Sequence, residues 1–389
     1  MASSSSEPRD PAQARPSDGA SPRAKGGLAL AALSAASFAL MRTGKTRRQR
    51  REEARAKQER KAEAERTAAG QHADHPGALP GKGWWQVLKR TVAQISSDHV
   101  LLVAAGVTFY VLLALFPALA ALVSVYGLFA DPATIQDHLG TLQGVLPGGA
   151  LEILESQLET LVSQDSAGLG LTFLIGLGVA LWSANGGMKS VIEALNIAYE
   201  EVEERSFVML TLTAFAFTLG ALLFVILALV GIVVVPAVIQ LLPLGNFIET
   251  LMNWLRWPLM AVAVAVFITL LYRFGPSRSV AKWRWVTWGA LLAALLWIAV
   301  SAVFSWYVAN FGSYNETYGS LGAAIGFMTW IWISTIIILA CAELNSELEH
   351  QTARDTTTGP AEPMGERGAV MADRVAGGPK MRAGRSDGF

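Results

Sequence analysis

Lys189 and Arg273, a lysine and an arginine set in apolar sequence, are the groups in this chain best suited to chemistry. An ionisable side chain in hydrocarbon is costly, so it normally faces protein or water and marks a path or a site. Either cation would attract an anionic head group. Asn185, one helical turn before Lys189, and Tyr110 add uncharged hydrogen-bonding groups, and Glu343 places a carboxyl inside the end of another apolar run. Pro117 removes a backbone hydrogen bond within a further run and predicts a kink there. A second polar group, Tyr314, Asn315, Glu316, Tyr318 and Gly319, lies between the last two runs. The plainer alternative is that Lys189 and Arg273 anchor helix ends by snorkelling and pairing with Glu193 or Glu343.

Nucleophilic or metal chemistry finds less support. A metal-dependent nuclease needs clustered carboxylates or histidines near the phosphate, whereas His72, His75, His99, His138 and His350 are scattered. Asp98 and His99 form an adjacent acid and histidine pair, which reads as a helix end. Cys341 is the only cysteine, which excludes an internal disulfide and makes a buried structural thiol the expectation. The expectation is a protein that is not an enzyme and uses no cofactor or metal. Nothing in the sequence reads as a nucleotide-binding loop.

The elements that must position these groups are six apolar runs, at 100–129, 168–190, 207–235, 255–274, 285–309 and 320–344. Each is near the roughly 20 residues needed to span a bilayer core at about 1.5 Å per residue. The connection 130–167 carries six acidic residues and no Lys or Arg, and 236–254 and 310–319 also lack basic residues. The first 99 residues hold 18 of the 31 basic residues; Lys189 and Arg273 come at the ends of their runs, Arg256 opens the fourth run, and the other ten lie in the remaining connections and the C-terminal tail. The positive-inside rule therefore predicts an all-α, polytopic membrane domain with six transmembrane helices and both termini cytoplasmic. A composition that is 52% hydrophobic and 16% charged agrees, since a soluble domain carries about 25% charged residues.

Around this domain, 84–351, the sequence predicts two tails. Residues 1–83 read as a disordered and basic helical arm: 28–41 are apolar but short for a span, and 42–66 mix Arg and Lys with Glu and Ala, a solvated helix or one attracted to anionic phospholipid. Residues 84–98 place Trp84, Leu88, Thr91, Val92 and Ile95 at helical spacing opposite Gln86, Lys89, Arg90 and Gln94, which predicts an amphipathic interfacial helix leading into the first span. Leu151, Leu154, Leu158, Leu161 and Val162 predict a short helical hairpin outside. Residues 352–389, rich in Gly, Pro, Thr and Arg, offer no apolar periodicity and read as a disordered tail.

Followed along each helix, the polar groups sort by depth. Tyr110, Asn185, Lys189, Arg273 and Glu343 all fall toward the basic, cytoplasmic side, while Tyr314 to Gly319 lie at the outer end. The segments Ala105-Gly106-Val107-Thr108-Phe109-Tyr110 with Leu115-Phe116-Pro117, Leu181-Trp182-Ser183-Ala184, Tyr272-Arg273-Phe274-Gly275-Pro276, Tyr314 to Gly322 and Ala342-Glu343-Leu344-Asn345 together resemble the YihY/BrkB family of bacterial inner-membrane proteins, once labelled ribonuclease BN. The resemblance covers about residues 84–350 and leaves the basic arm outside. It implies a six-helix, multi-pass protein of the bacterial cytoplasmic membrane, in a family named for virulence, serum resistance and ribonuclease, with a part in lipid export proposed for some members.

The resulting expectation is a transporter or flippase of an amphiphilic, anionic, lipid-like substrate, with membrane lipids as partners and no nucleic acid. A non-transporting scaffold for envelope assembly is the alternative. The oligomeric state is not legible, and a homo-oligomer stays open.

Overall fold

The computed structural model describes residues 47–127, 169–231, 245–311 and 320–377. The candidates Tyr314, Asn315, Glu316, Tyr318 and Gly319, the run 28–41 and the hairpin at 130–167 lie outside the described residues. The chain divides into two units, Met1–Ala64 and Glu65–Phe389. In the first, the described residues are the exposed start of helix α1 (Arg47–Ala69), where the exposed pair Arg48 Nε and Glu52 Oε1 is 3.0 Å apart one turn along.

In the second unit, a short 3-10 turn (Pro76–Ala78) leads to α2 (Gly81–Ser97), α3 (Val100–Gly127), α4 (Leu169–Ala198), α5 (Phe207–Leu229), α6 (Gly245–Phe274), α7 (Trp283–Phe311) and α8 (Ser320–Gln351). Among the described residues the one extended pairing is an antiparallel bridge between Ala281 and Thr357. Helices long and apolar enough to cross a membrane are Phe207–Ala228, Trp283–Val308 and Ala324–Gln351. A fourth would be Gly81–Ser97 with Val100–Leu115, a pair bent by 59°. Pro258–Phe274 is apolar but shorter. The six predicted runs are helical where they are described, and three or four of the helices are long and apolar enough to be spans.

Helix α8 is the centre of the packing, touching α2, α3, α4 and α7. Its contact with α7 is lined by indoles whose N–H groups are satisfied across the interface: Trp297 Nε1 donates to Ser334 Oγ (3.0 Å) and Trp330 Nε1 to Ser301 Oγ (3.2 Å), with the two rings 5.8 Å apart. In hydrocarbon such polar atoms need an internal partner. Helices α3 and α4 meet closely at Gly187, where a Cβ would lie 2.8 Å from that of Ala114 and 3.4 Å from the Tyr110 carbonyl oxygen. Pro117 sits within α3 without ending it. The sharp bend comes earlier, between α2 and α3, where His99 adopts φ 51° and its ring nitrogen Nδ1 lies 2.8 Å from the Ser97 carbonyl oxygen. That is the helix-end role expected of the Asp98 and His99 pair.

Helix α2, predicted to be interfacial, has three faces where the sequence predicts two. Val87 and Thr91 are buried, and Trp84 packs with Val87 on a cluster holding Trp285, Leu344 and Leu348. Arg90 and Gln94, assigned above to a polar outer face, instead reach Glu347, Gln351 and Glu200. Trp85, Leu88 and Val92 form the exposed apolar stripe. Counting apolar residues on one wheel merges a protein-facing stripe with an exposed one.

Residues 352–377 also differ from the predicted disorder. They form a strap that is folded on itself and against α8 and the preceding loops. Arg367, buried, donates to the carbonyls of Ala353, Arg354, Glu362 and Ala372. Asp355 accepts from the Thr357 and Glu362 amides. Glycines read from composition as disorder are turn residues here: Gly359, Gly365, Gly368 and Gly377 all have positive φ, conformations that other residues rarely adopt. Backbone hydrogen bonds replace the apolar core whose absence suggested disorder.

Candidate functional site

The predicted site residues fall into three neighbourhoods. In the first, Asn185 is buried on α4 and its Nδ2 donates to the Thr211 carbonyl of α5 at 3.4 Å, leaving Oδ1 unpartnered among the described residues. One turn on, Lys189 Nζ donates to Thr211 Oγ1 (2.9 Å) and lies 4.6 Å from the centre of the Phe207 ring. Thr211 Oγ1 in turn donates a hydrogen bond to the Phe207 carbonyl oxygen. Tyr110 approaches this group through its backbone at Gly187, while its ring is exposed and stacks edge-on against Phe109.

Arg273 stands apart, at the end of α6. Its guanidinium donates to the Ala281 carbonyl and stacks 4.1 Å above the Trp283 ring. The residue is only 8% exposed, its Nε has no acceptor, and no carboxylate meets it among the described residues. It lines a cleft of ≈ 890 Å³ between the loop following α4, the loop following α6 and the strap. The third neighbourhood holds Glu343, fully buried, whose oxygens receive no donor. Lys189 and Arg273 thus pair with neither Glu193 nor Glu343.

Sequence reasoning missed most of the charged framework around the cleft. Arg278 and Glu349 form an ion pair (2.7 Å) with no exposed side-chain surface, beneath the Tyr199 ring at 4.4 Å from the guanidinium carbon. Thr356 Oγ1 of the strap donates to the same Glu349 carboxylate at 2.9 Å. Arg205 clasps Glu203 through two nitrogens and also donates to the Gly275 carbonyl. The available signal was Ala342 to Gln351, where Glu343, Asn345, Glu347, Glu349 and Gln351 put polar groups on every side of a helix end. A lipid-facing end would not carry them.

Two acids of the loop after α4 titrate in opposite senses. The hydrogen bonds from Arg205 hold Glu203 down to about 2, and burial pushes Glu201 up to about 7, against a reference of 4.5. For Glu201 the folded state binds the proton more tightly. Its contribution is complete below 4.5 and is lost as pH rises through about 7. The contribution of Glu203 is present above 4.5 and is lost as pH falls toward 2. Glu201→Gln should therefore flatten the decline in thermal midpoint between pH 4.5 and 7. An unaltered slope in a pH series of melting curves would remove Glu201 as its cause.

The long apolar helices, with the Trp297 and Trp330 indole N–H groups satisfied across the α7 and α8 contact, define an α-helical membrane protein. Residues 91–365 match the family profile described as virulence factor BrkB, and the chain belongs to that family. It is 30% identical over 249 residues to YfkH of Bacillus subtilis, named as ribonuclease-like, covering 63% of this chain and 88% of that one. It is 29% identical over 206 residues to a UPF0761 membrane protein of Idiomarina loihiensis, covering 51% and 67%. Against a UPF0761 membrane protein of Rhodospirillum centenum the identity is 26% over 311 residues, covering 77% of this chain and 64% of that one. No solved structure matches the chain.

Proposed function

We propose that this membrane protein binds an anionic, lipid-like amphiphile at the cytoplasmic rim of a six-span bundle with both termini inside, and transfers it within or across the membrane. The observation that carries this reading is Arg273: a nearly buried cation, unopposed by a carboxylate among the described residues, on the wall of an ≈ 890 Å³ cleft. A buried charge without a counter-ion is expensive, and a phosphate would supply one. Guanidinium suits phosphate because its donors form a planar fork. Lys189 and Asn185 form a second polar station on α4, reached from the same side.

Envelope-assembly scaffolding is the second reading. It is favoured by the saturation of the rim, where Arg90, Arg205, Arg278 and Arg374 are already tied to carboxylates. Purified protein in liposomes carrying fluorescent anionic lipids separates the two. Transfer should exceed that of empty liposomes and fall at least about tenfold in Arg273→Gln, the loss of one charged contact costing about 1.5–3 kcal/mol. No protein-dependent movement across a range of head groups would leave the scaffold as the better account.

A further inference from the structure

The strap supplies one wall of the Arg273 cleft, through Gly365, Gly368, Val370 and Asp373. Its attachments to the opposite walls are backbone and side-chain hydrogen bonds more than apolar packing. The Ser279 amide donates to the Gly368 carbonyl, the Lys282 amide to that of Thr356 and the Thr358 amide to that of Val280, each at 2.8 Å. Ala281, whose carbonyl accepts from Arg273, lies between the last two and pairs with Thr357. Strap and arginine therefore hold the same few residues of chain. At the mouth, the Val370 amide donates to Glu201 at 2.8 Å, and Arg374 makes a solvent-reachable ion pair with Glu200 at 2.7 Å. Buried apolar side chains in this stretch are few, chiefly Ala369, Met371 and Ala372. A segment held in this way opens at lower free energy than the packed helices beside it.

We propose that the strap is a built-in closure of the Arg273 site. Docked, it walls the cleft, sets the Asp373 carboxylate on its lining and fixes the Ala281 carbonyl against the guanidinium. Undocked, it frees that carbonyl to move away and opens the guanidinium to the phosphate of an anionic amphiphile. The inference rests on Arg273 being the head-group contact. Docking and ligand then oppose each other, and their coupling is reciprocal: each weakens the other by the same factor.

Gly368 offers a way to loosen the strap without altering the cleft's charges. Its φ is +64°, and a Cβ there would lie 2.6 Å from Ser279 Oγ, so Gly368→Ala is strained twice over. Arg367→Ala is an independent second variant, because it removes the donor that folds the strap on itself and does not line the cleft. The experiment uses the whole chain in phosphatidylcholine nanodiscs, following hydrogen exchange of the strap amides and binding of short-chain phosphatidic acid, with inorganic phosphate as a second probe. Both variants should speed strap exchange and tighten phosphatidic acid binding about fivefold or more, and the lipid should speed strap exchange in the wild type. A loosened strap with unchanged or weaker binding overturns the closure, as does a strap that neither variant loosens. Arg273→Gln binding phosphatidic acid as tightly as wild type overturns the head-group assignment instead. Equal affinity for inorganic phosphate overturns the lipid character of the ligand.

Discussion

Glu349→Ala is expected to be among the most destabilising single changes in the protein, at about 3–5 kcal/mol, because it leaves a buried charge without its partner. Neither side chain of the Arg278 and Glu349 pair has exposed surface, and water cannot replace the lost carboxylate. The same change also strands the Thr356 hydroxyl, which donates to that carboxylate. Arg278→Ala should cost a comparable amount. Replacing both by apolar residues, Arg278→Met with Glu349→Leu, should recover much of the loss, since a buried pair gives back in attraction little more than its desolvation costs. Thermal unfolding of the four proteins in detergent, followed by size exclusion, reads the difference. A double variant as damaged as either single one would mean that the pair organises the surrounding loops rather than merely neutralising itself.

Gly289→Val should be nearly as severe for a steric reason. The Gly289 amide donates to Asn345 Oδ1 at 2.9 Å, and Asn345 Nδ2 donates to the Val286 carbonyl at 3.0 Å, so the side-chain amide is fitted against the backbone of α7. A Cβ at residue 289 would sit 2.4 Å from Asn345 Oδ1 and 2.5 Å from Cγ. Asn345 is fully buried, and displacing it leaves donors and acceptors on both helices unmade, at about 1–3 kcal/mol for each orphaned group. Gly289→Ala combined with Asn345→Ala makes room and removes the amide together, and should be milder than Gly289→Ala alone. Equal damage from the single and double variants, measured by the same melting assay, would show that the contact is not what holds α7 to α8.

Apolar run length located the helices well, because twenty consecutive apolar residues have few other uses. Ser206 ends the loop before α5 and accepts from the Met209 amide, a start signal of the kind local chemistry makes readable. A shared helix face was also legible, since Asn185 and Lys189 are four residues apart. Which residues meet across helices was not. Lys189 meets Thr211 and Arg273 meets Ala281, pairings set by tertiary packing that no local period encodes. The strap was illegible for another reason, since its order comes from backbone bonds, positive-φ glycines and the buried Arg367, and composition scores all three as reasons for disorder.

The position of α8 has a consequence for biosynthesis. Arg90, Arg278 and the Gly289 amide belong to segments made earlier, yet the partners that satisfy them, Glu347, Glu349 and Asn345, all lie on this late helix. The nascent chain therefore lacks these partners until residues 345–349 have left the ribosome. Assembly is completed from the C-terminal side, and a chain cut short before those residues would present unpaired arginines to whatever surveys the membrane for unfinished proteins.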